Sequence, residues 1–115
     1  MGKVYQKEKK LDLAIEELSE AIRFGKINGE DYPIVYDYHS NRGACYLKKN
    51  MYSQALEDFN YALKLNDSNA NIYANKGVAL YKLKKVKAAC ESWQRALELG
   101  QKSVQNYIDN KCRPK

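Results

Sequence analysis

Residues 36–69 read YDYHSNRGACYLKKNMYSQALEDFNYALKLNDSN, and residues 70–103, set beneath them without a gap, read ANIYANKGVALYKLKKVKAACESWQRALELGQKS. Asn41 then meets Asn75, Gly43 meets Gly77, Lys48 meets Lys82, Ala55 meets Ala89 and Glu57 meets Glu91. Ala62, Leu63 and Leu65 meet Ala96, Leu97 and Leu99. Where identity fails, type persists, with Phe59 opposite Trp93 and Tyr46 opposite Leu80. A third copy precedes these at an offset of 41, with Gly2, Tyr5, Lys7, Ala14, Glu16 and Ala21 opposite Gly43, Tyr46, Lys48, Ala55, Glu57 and Ala62. Self-similarity at such a period marks a solenoid of stacked supersecondary units.

Inside each copy the apolar spacing is helical. Ala55, Leu56, Phe59, Ala62, Leu63 and Leu65 form one broad stripe at steps of three and four. Lys49-Asn50 and Lys84-Lys85 mark the break between the two helices of a copy. Asn66-Asp67-Ser68-Asn69 is a turn and cap cluster, and Pro33 suits a first helical turn with Asp31 as candidate cap. The pattern predicts helices over 1–8, 11–24, 33–48, 52–65, 69–83, 86–99 and 101–111, with 25–31 the longest loop. Gly43 and Gly77 allow close approach of a neighbouring helix, as do Ala55 and Ala89 from the opposing one. Tyr46, Phe59, Tyr73 and Trp93 fill the space between layers, small against large.

The chain has 115 residues, two prolines, six glycines, and 20 Lys+Arg against 14 Asp+Glu. That length allows one domain, burying about 65% of the surface an unfolded chain exposes. The +6 balance is a bias within mixed charge. Apolar runs are too short for a transmembrane helix, and no secretory signal follows Met1, so a cytoplasmic location is expected. Cys45, Cys90 and Cys112 share no metal or redox spacing and are expected as unpaired thiols in a reducing compartment.

The pattern Gly43, Tyr46, Ala55, Phe59, Ala62, repeated as Gly77, Leu80, Ala89, Trp93, Ala96, resembles the tetratricopeptide repeat family from Gly2 to about Ser103. The ending from Trp93 to Gly100 is also similar to Sel1-like repeats, although the gapless period favours the former. The resemblance implies an all-α, right-handed solenoid of antiparallel helix hairpins in one domain. It would comprise a partial first repeat (1–28), an insert (29–35), two full repeats (36–69 and 70–103), and a capping helix with a tail (104–115). Val104, Tyr107, Ile108 and Cys112 give that cap an apolar face over the last repeat.

Catalysis has no constellation to rest on. The single histidine, His39, reads as a packed side chain without a companion site. Glu16-Glu17 and Glu57-Asp58 recur with the structural period, which argues for solvated outer faces. No phosphate loop, metal motif or cofactor motif is present. No enzyme and no cofactor are expected.

In the family, the first helix of each repeat lines a concave groove. The resemblance places Asp37, Ser40, Asn41, Ala44, Leu47 and Lys48 there from one repeat, and Asn71, Ala74, Asn75, Val78, Tyr81 and Lys82 from the next. Asparagines can pair with the backbone of an extended peptide, while Leu47, Val78 and Tyr81 can take apolar side chains. Family members that clamp acidic chaperone tails use Lys, Asn, Asn, Lys and Arg. Asn41 fits one place, but Asn71 and Asn75 stand where Lys and Arg belong, so that clamp is not expected. Lys48, Lys49, Lys82, Lys84, Lys85 and Lys87 gather near the turns and would make a basic edge able to steer acidic segments. Leu11, Ile15 and Leu18 form a stripe that a full preceding helix would cover, a candidate surface for self-association. The reading is a non-enzymatic protein–protein interaction module or scaffold with a protein or peptide partner. The alternative is a homo-oligomeric adaptor joined through that stripe, and neither nucleic acid nor membrane is expected as a partner.

Overall fold

The computed structural model describes the backbone over 2–28 and 32–112 and side chains over 9–24 and 36–112. Among the described residues every regular element is helical, in agreement with the repeat pattern. The order is α1 (Gly2–Asn28), α2 (Tyr32–Lys48), α3 (Tyr52–Leu65), α4 (Ala70–Lys82) and α5 (Val86–Glu98). A terminal segment follows, made of a 3-10 turn (Lys102–Val104), an α turn (Gln105–Tyr107) and a π turn (Ile108–Cys112). α2 packs on α3 and α4 on α5, α1 lies against α2, and α3 meets α4 to join the two hairpins.

Each hairpin has its own core. Tyr36, Ala55, Phe59 and Ala62 of the first are buried together with Ile72 of α4, and Leu80, Ala89, Trp93 and Ala96 of the second with Val104 of the terminal segment. The aromatic rings lie on the glycines. A Cβ at Gly43 would stand 2.7 Å from the Phe59 ring, and one at Gly77 would overlap the indole of Trp93. That indole also donates its Nε1–H to the Ala74 carbonyl at 3.1 Å, which meets the need of a buried polar tip.

The ends of α2, α4 and α5 share one device. Asn50, Lys84 and Gly100 take positive φ of 63°, 69° and 106°. The next amide then donates back to a carbonyl inside the helix: Met51 to Tyr46 at 2.9 Å, Lys85 to Leu80 at 2.9 Å, and Gln101 to Ala96 at 3.0 Å. These bonds satisfy carbonyls that the helix end leaves open. α3 stops differently, in extended backbone at Asn66, whose Oδ1 accepts from the Ser68 amide at 3.1 Å and hydroxyl at 2.7 Å. Asn69 then caps α4, accepting from the Asn71 and Ile72 amides at 2.9 and 3.3 Å.

The structure departs from the sequence reading in two places. The break expected between residues 8 and 11 is absent, and α1 runs through it to Asn28. Lys9 stands at the station of Asn50 and Lys84, and since a lysine turns the chain at 84, residue type alone does not remove the break; the short arm before it does. An arm offering only Met1, Val4 and Tyr5 as large apolar groups would bury too little to offset a lost turn. Residues 25–28, expected as part of a loop, belong to α1, and Asp31 lies outside the described residues. Pro33 does fall in the first turn of α2, where its missing N–H costs nothing.

The second departure is at the C-terminal end. The expected capping helix forms and covers the last repeat, but its pitch changes along its length from 3-10 through α to π. Val104 is buried, and Tyr107 stacks on Trp93 with centroids 5.0 Å apart and planes at 14°. Returning along α5, this segment brings Cys112 to Cys90, with Cα atoms 5.7 Å apart, and the two form a disulfide. The expectation of unpaired thiols is therefore corrected for this pair. Their separation of 22 residues matches no motif, and only the fold brings them together. Closing a loop of that length restricts the unfolded chain by about 3 kcal/mol. Cys45 remains free. The inference from cysteine spacing to a reducing compartment loses its basis, since disulfides persist in oxidising surroundings. No helix among the described residues is long and apolar enough to cross a membrane.

Lys84 pays more for its position than Asn50, whose short polar side chain tolerates a left-handed backbone, or Gly100, which has no Cβ; for other residues that backbone costs about 1–2 kcal/mol. Replacing Lys84 with Gly should raise stability by about 0.5–1 kcal/mol after the entropy of glycine is counted. The check is a higher urea midpoint at unchanged slope.

Candidate peptide-binding face

α2 and α4 are the first helices of the two hairpins, and one face of each remains accessible. On α2, Asp37, Asn41 and Lys48 are exposed, with Ser40, Ala44 and Leu47 half-buried between them. On α4, Asn71 and Lys82 are exposed, with Ala74, Asn75, Val78 and Tyr81 half-buried. Leu47 packs on the first core, and Ala74, Val78 and Tyr81 on the second, so the apolar members are held by what lies beneath them. The twelve residues expected from the sequence thus lie on accessible faces of two neighbouring helices.

At the end of this strip the terminal segment adds a wall that sequence reasoning did not find. Val78, Tyr81 and Lys82 line a cleft of about 260 Å³ with Trp93, Tyr107 and Lys111. The Lys111 ammonium lies 4.5 Å from the centroid of the Tyr81 ring, a cation–π contact. The cleft has an aromatic floor and two ammonium groups at its rim. The missed signal was the helical spacing of Tyr107 and Lys111 in the segment read only as a cap.

The basic edge is partly engaged. Lys48, Lys82, Lys84, Lys85 and Lys87 are exposed, whereas Lys49 pairs with Asp12 of α1. Leu11, Ile15 and Leu18 are half-buried, because α1 lies against α2 and contributes the buried Ile22. Among the described residues of α1, the large apolar side chains of Leu13 and Phe24 stand out in solvent.

Asp58 corrects the expectation that the acidic pairs are solvated. Glu57 is exposed, but Asp58 is 3% exposed. Its Oδ2 accepts from Arg42 Nε and its Oδ1 from Arg42 Nη2, both at 2.7 Å, and His39 Nδ1 lies 3.1 Å from Oδ1. Arg42 Nη1 also donates to Ser19 Oγ of α1 at 3.0 Å. The guanidinium therefore ties α1, α2 and α3 together, and His39 is a packed residue whose ring lies 4.2 Å from that of Tyr61, tilted by 31°. Adjacent residues in a helix point to different faces, so equal charge on Glu57 and Asp58 did not mean equal surroundings.

With the geometry in hand, the chain can be set beside known proteins. The tetratricopeptide repeat models match residues 36–69 and, again, residues 70–102. The chain belongs to the tetratricopeptide repeat family. Stress-induced-phosphoprotein 1 of Caenorhabditis elegans is 30% identical over 100 residues, which is 87% of this chain and 30% of that protein. Hsp70-Hsp90 organizing protein 2 of Arabidopsis thaliana is 33% identical over 97 residues, 84% of this chain and 16% of the relative. DnaJ homolog subfamily C member 7 of Homo sapiens is 35% identical over 68 residues, 59% of this chain and 14% of the relative. The chain thus spans less than a third of the length of these relatives. Among solved structures, the first TPR of Spaghetti (RPAP3) bound to HSP90 peptide SRMEEVD has a TM-score of 0.53 at 21% identity, covering 90% of this chain and 96% of that one. At that identity the likeness is one of fold. Together the repeats and relatives support a protein–protein interaction module.

The Asp58 cluster sets a pH dependence for this tetratricopeptide repeat array. Burial pushes the Asp58 carboxyl up, but hydrogen bonds from Arg42 and His39 outweigh it and hold it below its ordinary 3.8. The stabilisation is complete above the unfolded value and is lost as pH falls through the folded one. An Asp58→Asn variant should be less stable at neutral pH by about 3 kcal/mol, because it leaves Arg42 without its charge partner. Its stability should fall less steeply than that of the wild type below pH ~4, as read by urea unfolding at a series of pH values.

Proposed function

We propose that the chain is a non-enzymatic adaptor that binds an extended peptide segment along the accessible faces of α2 and α4. The cleft at the end of that strip carries the reading. Its aromatic floor suits one apolar side chain, and Lys82 and Lys111 suit a carboxylate beside it. Asn41 and Asn75 each offer a donor and an acceptor to a peptide backbone, while Lys48 and Lys82 make the rim attractive to acidic residues. The relatives add support of a general kind: one structural neighbour is bound to an HSP90 peptide, and one relative is named for organizing Hsp70 and Hsp90. Asn71 and Asn75 stand where a chaperone-tail clamp would have Lys and Arg. The ligand is therefore read as an apolar residue flanked by acidic ones, held by backbone amide pairing and the cleft rather than by a clamp of cations.

Peptides selected from a displayed random library should converge on an apolar residue next to Asp or Glu. They should bind the Asn41→Ala/Asn75→Ala variant at least about tenfold more weakly, a loss of ~1.4 kcal/mol, with helicity unchanged by circular dichroism. Selected peptides that bind the double variant as tightly as the wild type would contradict the reading.

A further inference from the structure

The two full repeats differ at the station of Asp58, and among the described residues the difference leaves a charge without an ion-pair partner. In the first, Arg42 of α2 is held by Asp58 of α3. The residues 34 positions later are Lys76 of α4 and Ser92 of α5. The cation is kept and the carboxylate is lost. Ser92 is buried and Lys76 is half-buried, and burial pulls the Lys76 ammonium below its ordinary value. Among the described residues no carboxylate lies within ion-pair distance of Lys76.

Lys76 and Ser92 line a cleft of about 450 Å³ between α3, α4 and α5. Tyr73, Lys76 and Leu80 face it from α4, on the side of that helix roughly opposite Val78 and Tyr81, so it is separate from the peptide-binding face. Leu56 and Leu80 give it apolar walls. Lys85 and Arg95 add positive charge, and Glu91 is the one acidic side chain in the lining. Arg95 is already occupied in part, lying over the Tyr73 ring at 5.9 Å and 3.4 Å from a Glu98 carboxylate oxygen. Lys76 and Lys85 against Glu91 therefore leave an excess of one positive charge.

We propose that this cleft is a second docking site, which receives the carboxylate of a glutamate or aspartate side chain from a partner protein at the place that Asp58 fills internally in the preceding repeat. The partner's carboxylate meets Lys76, and its neighbouring apolar groups lie on Leu56 and Leu80. One excess charge matches a single carboxylate. Burial of the ammonium makes that pairing stronger than one on the open surface, because water screens it less.

The test is a chemical-shift titration of the isotope-labelled full chain with acetyl-Leu-Glu-Leu-amide, and with acetyl-Leu-Gln-Leu-amide as its uncharged control. Saturable shifts at Lys76, Leu80 and Ser92 are expected with the glutamate peptide alone. Lys76→Gln should weaken binding about tenfold or more. Ser92→Asp, which rebuilds the internal pair, should do the same while returning the Lys76 ammonium toward its ordinary pKa. The second readout establishes that the Ser92→Asp variant has folded as intended. Asn41→Ala/Asn75→Ala should leave these shifts untouched, which separates this site from the peptide-binding face. Equal shifts from the glutamine peptide, undiminished binding to Ser92→Asp, or no saturable shift at all would overturn the proposal. So would propionate binding as tightly as the peptide, since that would make the site one for a free acid rather than a partner's side chain.

Discussion

An aromatic ring seated on a glycine recurs in both hairpins, and the remaining structure is arranged around those two contacts. Phe59 on Gly43 and Trp93 on Gly77 set how closely α2 approaches α3 and α4 approaches α5. The small residues Ala55, Ala62, Ala89 and Ala96, all fully buried, keep the opposing helices within that distance. Trp93 then serves more than its own hairpin. Its ring lies 5.8 Å from Tyr81 and 5.0 Å from Tyr107, so the same side chain fills the second core, supports the candidate peptide-binding face and seats the terminal segment. The Cys90–Cys112 disulfide fixes that segment from the other side.

Much of this was legible because it is periodic. A gapless match between residues 36–69 and 70–103 fixes two hairpins, their turns and their small-against-large contacts at once, since each feature appears twice at the same station. The illegible parts are those that break the period. α1 has no substantial apolar arm to fold back, so it stays continuous. The disulfide joins residues whose pairing depends on the path of the terminal segment, which the repeat does not encode. Asp58 was misplaced for a related reason. A run of two acids looks like surface, and only the tertiary position of Arg42 shows that one of them is buried.

The candidate binding residues illustrate the same division. Their places on α2 and α4 follow from the repeat register, and the structure leaves them accessible. The cleft that completes the strip depends on Tyr107 and Lys111, which belong to no repeat. Chemistry differs where the copies differ: the salt bridge of Arg42 and Asp58 gives way to Lys76 and Ser92, with no carboxylate within ion-pair distance of Lys76 among the described residues. A repeat protein can keep its packing positions constant and vary the stations between them, because nearest-neighbour contacts carry most of its stability.

Thermal unfolding of Gly77→Ala beside the wild type tests the central contact most directly. In a helix interior, replacing glycine with alanine ordinarily adds up to about 1 kcal/mol of stability. Here the new methyl would meet the indole of Trp93, with the Ala74 carbonyl holding that ring in place. The account predicts a lower melting temperature, recovered in part when Trp93 is also replaced by Leu. A melting temperature equal to or above that of the wild type would show that the ring does not rest on the glycine, and would contradict the account.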